Sequence, residues 1–285
     1  MTIHTYFMIN ILTDSTADLS ETLRKKFHID AIPMYIHLNG SVYKDGEDID
    51  PQMLFDIVEK TGVYPTTSAP SPGDFVKFLD RKEPTIYIGL SSKLSATYRN
   101  AQLALSQLDS ENIDLIDSLS ISTGYGQTVL QAAKWRDEGM PFTALKTKIR
   151  QHVAKSGGVF ILDTLEYLYR GGRCSAVDHF VASMLKIHPF LEMRRDGTLG
   201  VLRKVSGSRQ RALTKLLDYF LGKINKTTIE KIFITHLDCD EEEQFLKNEI
   251  QAAAPGIEVA SARVGCVLAT HSGPKPIGIA YSEAS

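Results

Sequence analysis

Three hydroxyl-rich loops follow predicted strands: Thr13-Asp14-Ser15-Thr16, Ser91-Ser92-Lys93-Leu94-Ser95-Ala96-Thr97, and Asp117-Ser118 with Ser122-Thr123-Gly124-Tyr125-Gly126. The Thr66-Thr67-Ser68-Ala69-Pro70-Ser71-Pro72 stretch is equally rich in hydroxyls. In open parallel α/β sheets, ligands bind beyond the carboxyl ends of the strands. Hydroxyls beside free N–H groups at helix starts suit an anion, either a carboxylate or a phosphate. The plainer reading of each loop is a helix cap. Arg170-Gly171-Gly172-Arg173 sets two guanidinium groups around a turn, the residue type that grips carboxylate or phosphate. His271 lies in a Gly/Pro-rich turn, and its near-neutral titration suits proton handling. Asp14 orients a site group or acts as a cap, while Lys186, Arg203 and Lys204 read as surface charges.

Other chemistries lack their signatures. Gly124-Tyr125-Gly126 falls short of a full GxGxxG, and neither GxxxxGK[ST] nor GxSxG occurs. Cys174, Cys239 and Cys266 form no CxxC pair, are odd in number and have no His at zinc spacing.

The elements that must hold these loops alternate in type. Tyr6 to Leu12 reads as a buried strand, with Asp18 and Glu21 as a capping box for a helix to Phe27. Asp30 to Leu38 reads as a second strand ending at the Asn39-Gly40 turn. Asp50-Pro51 opens a helix to about Lys60, Gly62 to Asp74 reads as a loop, and Ser71-Pro72 opens the helix of Phe75 to Leu79. Strands at Thr85–Gly89 and Ile113–Ile116 alternate with helices to Leu108, over Thr123–Glu138 and over Pro141–Ser156. That order implies crossover units and a largely parallel sheet.

The second half differs. A strand at Val159–Leu162 leads to an apolar helix at Val177–Leu185. Phe190–Met193 and Leu199–Lys204 flank Asp196-Gly197 as a hairpin. Ser206 caps a helix to Leu221, and Ile232–Thr235, a helix to Ala254 and Ile257–Ala260 make a βαβ unit. His271-Ser272-Gly273-Pro274 reads as a turn before a last strand, Ile277–Tyr281. The fold expected is α/β in two domains: residues 1–156 with a mainly parallel sheet, and residues 157–285 with a mixed one.

Composition fits that frame. The 285 residues suit about two domains. Lys plus Arg number 32 against 34 Asp plus Glu, a net charge of −2, which disfavours non-specific nucleic-acid binding. The 43% hydrophobic fraction belongs to a soluble globular chain. No basic n-region with an apolar run opens the sequence, and no apolar run is long enough to span a bilayer. With the unpaired cysteines, a cytoplasmic protein without membrane insertion is expected.

Taken together, the motifs resemble the DegV family. They are Asp14-Ser15-Thr16-Ala17-Asp18, Thr67-Ser68-Ala69-Pro70-Ser71, Ser91-Ser92-Lys93-Leu94-Ser95-Ala96-Thr97-Tyr98, Asp163 through Arg173, and His271-Ser272-Gly273-Pro274. They run in family order over nearly the whole chain. The resemblance implies a non-catalytic protein that binds a long-chain fatty acid such as palmitate or oleate, with no other cofactor. It also implies an ATP-dependent fatty acid kinase as partner, which phosphorylates the presented carboxylate, and at most transient membrane contact.

Carried over by motif position, Thr67, Ser95 and His271 bind the carboxylate, with Ser92 and the backbone N–H groups of Ala96 and Thr97 assisting. Arg170 serves kinase docking or phosphoryl transfer, with Arg173 beside it. The chain departs from the family pattern at Ala69 (usually Gln), Ala96 (usually Gly) and Lys275 (usually Gly), and reads Lys186-Ile187-His188-Pro189 where Lys-Pro-Ile is common.

Two other readings use the same residues. One is an acyl hydrolase or transferase with Ser95 or Ser92 as nucleophile, His271 as base and Asp117 or Asp14 as orienter. The other is a small-phosphate or nucleotide binder at the helix N-termini.

Overall fold

The computed structural model describes residues 9–173, 187–225 and 227–283. The expected helix at Val177–Leu185, with Cys174 and Lys186, lies outside the described residues, as does the start of the Tyr6–Leu12 strand.

Strand β1 (Asn10–Asp14) pairs in parallel with β2 (Ile29–Ile32) and β6 (Thr85–Gly89), and β6 pairs with β7 (Ile113–Asp117), in the order β2-β1-β6-β7. Every residue of β6 is buried, as expected of a parallel strand covered on both faces. Helix α3 (Pro72–Leu79) starts at a full Ser71–Asp74 capping box, and α2 (Pro51–Thr61) starts at Asp50 with Pro51 in its first turn. Helices α4 (Thr97–Leu105), α5 (Thr123–Asp137) and α6 (Phe142–Val153) follow.

The stretch read as one strand from Asp30 to Leu38 is two. It breaks at Pro33, whose missing N–H interrupts a ladder, and resumes as β3 (Tyr35–Leu38). β3 turns at Asn39-Gly40, both at positive φ, into β4 (Ser41–Lys44). It also pairs antiparallel with β5 (Thr66–Ser68), inside the stretch read as loop. The capping box expected at Asp18 is also corrected. Ser20 caps α1 (Glu21–Lys26), while Asp18 sits buried in a left-handed conformation.

The second sheet has six strands in the order β10-β9-β8-β13-β11-β12. They are β8 (Ser156–Ile161), β9 (Ile187–Met193), β10 (Leu199–Ser206), β11 (Ile229–His236), β12 (Glu258–Arg263) and β13 (Ile277–Glu283). Among the described residues only β11 and β12 pair in parallel, so the sheet is mixed. Helices α8 (Arg209–Ile224), capped by Ser208, and α9 (Asp240–Ala253) cover it. Two short helices precede and overlap the turns expected at Arg170–Arg173 and His271–Pro274: α7 (Glu166–Arg170) and α10 (Cys266–Ser272).

Helix α5 joins the two halves. It packs on β1 and β6 on one side and on β8, β11 and β13 on the other. Its residues are buried almost all round, as a helix between two sheets requires. Among them Arg136 donates to the carbonyls of Phe27 and His28 and pairs with Asp137.

Candidate functional site

A cavity of about 130 Å³ lies between the sheets. Val159, Phe160, Ile277 and Ile279 of β8 and β13 form one wall. The loops after β6 and β7 supply Leu90, Leu94 and Ile121 opposite, and α10 closes one end. The lining is overwhelmingly apolar, which favours a ligand with a long hydrocarbon part.

Polar groups gather where β5, α10 and the β6–α4 loop meet. Antiparallel pairing sets Thr67 against Ile36 of β3. Its hydroxyl lies 2.8 Å from His271 Nε2, across 204 residues of sequence. His271 stands on the last turn of α10, not in a Gly/Pro turn as read from the sequence. Burial, with Arg173 nearby, pushes its imidazole down to about 4, so the ring is neutral at physiological pH. Its Nδ1 is buried and has no hydrogen-bond partner among the described residues. An N–H there would be an unpaired donor beside a cation, so the proton belongs on Nε2 and is donated to Thr67. The Thr67 hydroxyl is then free to donate into the cavity.

Ser95 lines the cavity from the turn before α4. Its hydroxyl lies 2.7 Å from Thr97 Oγ1 and accepts from the Thr97 amide. Arg173 also lines the cavity, donating to the carbonyls of Gly171 and Leu94. Ser92 and Ala96 are exposed and outside the lining, with the Ser92 amide donating to Asp117. Arg170 lies on the outer surface, half exposed. It pairs with Glu166 at 2.9 Å and stacks 4.0 Å above the Tyr64 ring, whose hydroxyl also donates to Glu166. Thus Thr67, Ser95, His271 and Arg173 share one cavity, and Ser92, Ala96 and Arg170 do not.

The two other sequence readings meet obstacles in this geometry. The His271 ring bonds Thr67 rather than a serine, and among the described residues no carboxylate orients its Nδ1. Asp14 is saturated: it accepts from the Tyr87 and Tyr125 hydroxyls, the Thr16 hydroxyl, and the amides of Thr16 and Leu90. Asp117 accepts backbone amides of Ser92 and Leu119. The Gly124-Tyr125-Gly126 stretch is buried in the first turn of α5, and a side chain at Gly126 would strike the Ala17 carbonyl. Those glycines therefore serve close packing, not phosphate approach.

Sequence reasoning missed the carboxylates behind α10. Asp18 and Asp45 are both buried and accept from the amides of Gly265 and Cys266. The acidic type was visible at both positions, but their partners lie more than 200 residues away. Among the described residues, no cluster of His, Cys, Asp or Glu could hold a metal ion, and no helix is long and apolar enough to cross a membrane.

Fold and site together define an α/β protein, its described strands in three sheets, with an apolar cavity and a hydroxyl–imidazole pair at its polar end. The family model described as "Uncharacterised protein, DegV family" matches residues 8–284, and the chain belongs to that family. A DegV domain-containing protein of Caldanaerobacter subterraneus is 33% identical over 283 residues, 96% of this chain and 99% of the relative. The structure of a Thermus thermophilus DegV family protein, described by its fatty acid binding, superposes with a TM-score of 0.88 at 28% identity, over 97% and 100% of the two chains. The Streptococcus pneumoniae Fatty Acid Kinase (Fak) B3 protein, loaded with linoleic acid, has a TM-score of 0.84 at 19% identity over 97% and 100%, a likeness of fold.

Proposed function

We propose that this protein binds a long-chain fatty acid and presents its carboxylate to an ATP-dependent kinase, itself performing no catalysis. The observation that carries this reading is the apolar cavity ending at the Thr67–His271 pair. Each methylene of the tail that is buried supplies about 0.8 kcal/mol before association costs. Affinity can then come from the tail, and the polar end needs only to orient the carboxylate. Thr67 donates to it, Ser95 faces it, and neutral His271 fixes the Thr67 hydroxyl without adding a charge that would hold the carboxylate too tightly for release. The fatty acid binding of the Thermus thermophilus relative supports the ligand class. The family motifs support the kinase partner and a cytoplasmic setting. The ligand would sit between the proposed domains, residues 1–156 and 157–285.

Mass spectrometry of organic extracts from gently purified protein tests the reading. A long-chain fatty acid at near one equivalent is expected. The Thr67→Val/Ser95→Ala double variant should retain lipid but bind it about tenfold more weakly, the cost of one or two lost hydrogen bonds. Absence of lipid together with no uptake of oleate or palmitate overturns the proposal.

A further inference from the structure

The start of α10 is an anomaly in the fold. Its first residues, Cys266 and Val267, are buried, and its N-cap, Gly265, has no side chain to satisfy the amides that every helix start leaves open. A serine or aspartate at that position would cap the helix locally. Instead the caps come from the far end of the chain. Asp18 Oδ1 accepts the Gly265 amide at 2.9 Å, and Asp45 Oδ1 accepts the Cys266 amide at 2.9 Å. The Ser15 hydroxyl and the Val267 amide also favour the charged form of Asp45. The second oxygen of Asp18 bonds the hydroxyl of Ser122, a cavity-lining residue at positive φ. Burying two neighbouring carboxyl groups is costly, so this arrangement is an expensive way to cap seven residues. What it adds is a tie between α10, the motif after β1 and the cavity wall.

We propose that Asp18 and Asp45 are positioning residues for His271. They clasp the first amides of α10, and the rigid helix carries that placement about 8 Å along its axis to the imidazole that meets Thr67. This deepens the fatty-acid reading and rests on it only for the role of His271. Cys266 adds a third tether by donating its thiol to the Ile49 carbonyl. Burial raises both carboxyl groups above the ordinary carboxylate range. Burial, with Asp45 and Asp14 nearby, pushes Asp18 up to about 8, so it carries a proton at neutral pH and is matched by asparagine. Arg24, Glu47 and Arg263 line the adjacent cleft but make no hydrogen bond to Asp18 among the described residues. Asp45 faces the Cys266 amide, the Val267 amide and the Ser15 hydroxyl, and asparagine would replace one of its acceptor oxygens with an NH2 donor there.

The test compares Asp18→Asn, Asp45→Asn and Asp18→Ala by imidazole NMR of His271 in ligand-free protein, alongside fatty-acid affinity. Asp18→Asn keeps an oxygen for the Gly265 amide and should perturb the His271 resonances less than Asp18→Ala. Asp45→Asn should shift and broaden those resonances and weaken binding about tenfold, with Asp18→Ala doing the same if it folds. An unperturbed His271 in Asp45→Asn, or in a folded Asp18→Ala, overturns the proposal. The imidazole is read without lipid, so a failure of the fatty-acid reading would appear separately, as absence of binding in the unmodified protein.

Discussion

At the scale of single residues, the polar end of the cavity is a chain of directed hydrogen bonds. His271 donates to Thr67, and Thr67 is left to donate to a ligand. The ring is held there by contact as well as by bonding. Gly171, at φ −75°, has a backbone conformation any residue adopts, yet an added Cβ would collide with His271 Nδ1 and Cε1. Only space excludes a side chain. Gly171→Ala should therefore destabilise the fold by about 1–3 kcal/mol, the usual cost of overpacking, and displace the imidazole. Denaturant midpoints and the His271 resonances measure both, and a variant unchanged in each would mean that the turn does not hold the ring.

Legibility at this scale was partial. Thr67, Ser95 and His271 stand in motifs whose chemistry is readable, but Ser92 is exposed while Ser95, three residues on, lines the cavity. Which hydroxyls of such a loop turn inward depends on its tertiary path. Asp18 carried an equal ambiguity, because Ser20 two residues on has the same capping chemistry and Asp18 finds its partners in segments distant in sequence.

At the scale of elements, strong local signals were reliable where the chain contradicts itself least. Asp50-Pro51 and Ser71-Pro72 each begin a helix as their types require. Strand β5 was missed because Thr66-Thr67-Ser68 is three residues long and exists only as an edge paired with β3. Helix α10 was missed because Gly273-Pro274 hides a short helix held by distant caps.

The junction of α5, α6 and β13 has its own titratable group. His152 lies 3.0 Å from Thr128 Oγ1 of α5 and 3.1 Å from Ser282 Oγ of β13, edge-on to Trp135. Burial pushes it from 6.5 down to about 4, with Lys155 acting in the same direction. Between those values the unfolded chain binds a proton that the folded one refuses. Stability from this site is therefore intact above pH 6.5 and falls as pH drops toward 4, by at most about 3 kcal/mol. His271 acts in the same direction, whereas Asp18, whose folded state keeps a proton longer, acts oppositely as pH rises from 3.8 toward 8. The His152→Gln variant isolates the term: its stability should vary less with pH between 6.5 and 4 than that of the unmodified protein. Parallel profiles would remove His152 from the acid response.

At the scale of the molecule, the proposed ligand site and the proposed partner face lie on different sides of α7. The cavity side of this region holds Leu168, Arg173 and His271. Arg170 faces outward over Tyr64, beside the half-exposed Tyr169. An aromatic and arginine surface of this kind is enriched at protein interfaces. The Arg170–Glu166 pair is solvent-exposed, worth about 0–1 kcal/mol, so its loss should barely alter stability. Arg170→Ala is expected to keep fatty-acid affinity within about twofold while kinase-dependent acyl phosphate formation falls about tenfold or more, because removing a buried interfacial arginine costs several times what an exposed pair contributes. Lipid affinity and acyl phosphate yield, measured on one preparation, decide the matter. If affinity falls in step with yield, Arg170 acts on the ligand. The outward stacking on Tyr64 would then have to rearrange toward the cavity when lipid enters, carrying α7 and the contact between Gly171 and His271 with it.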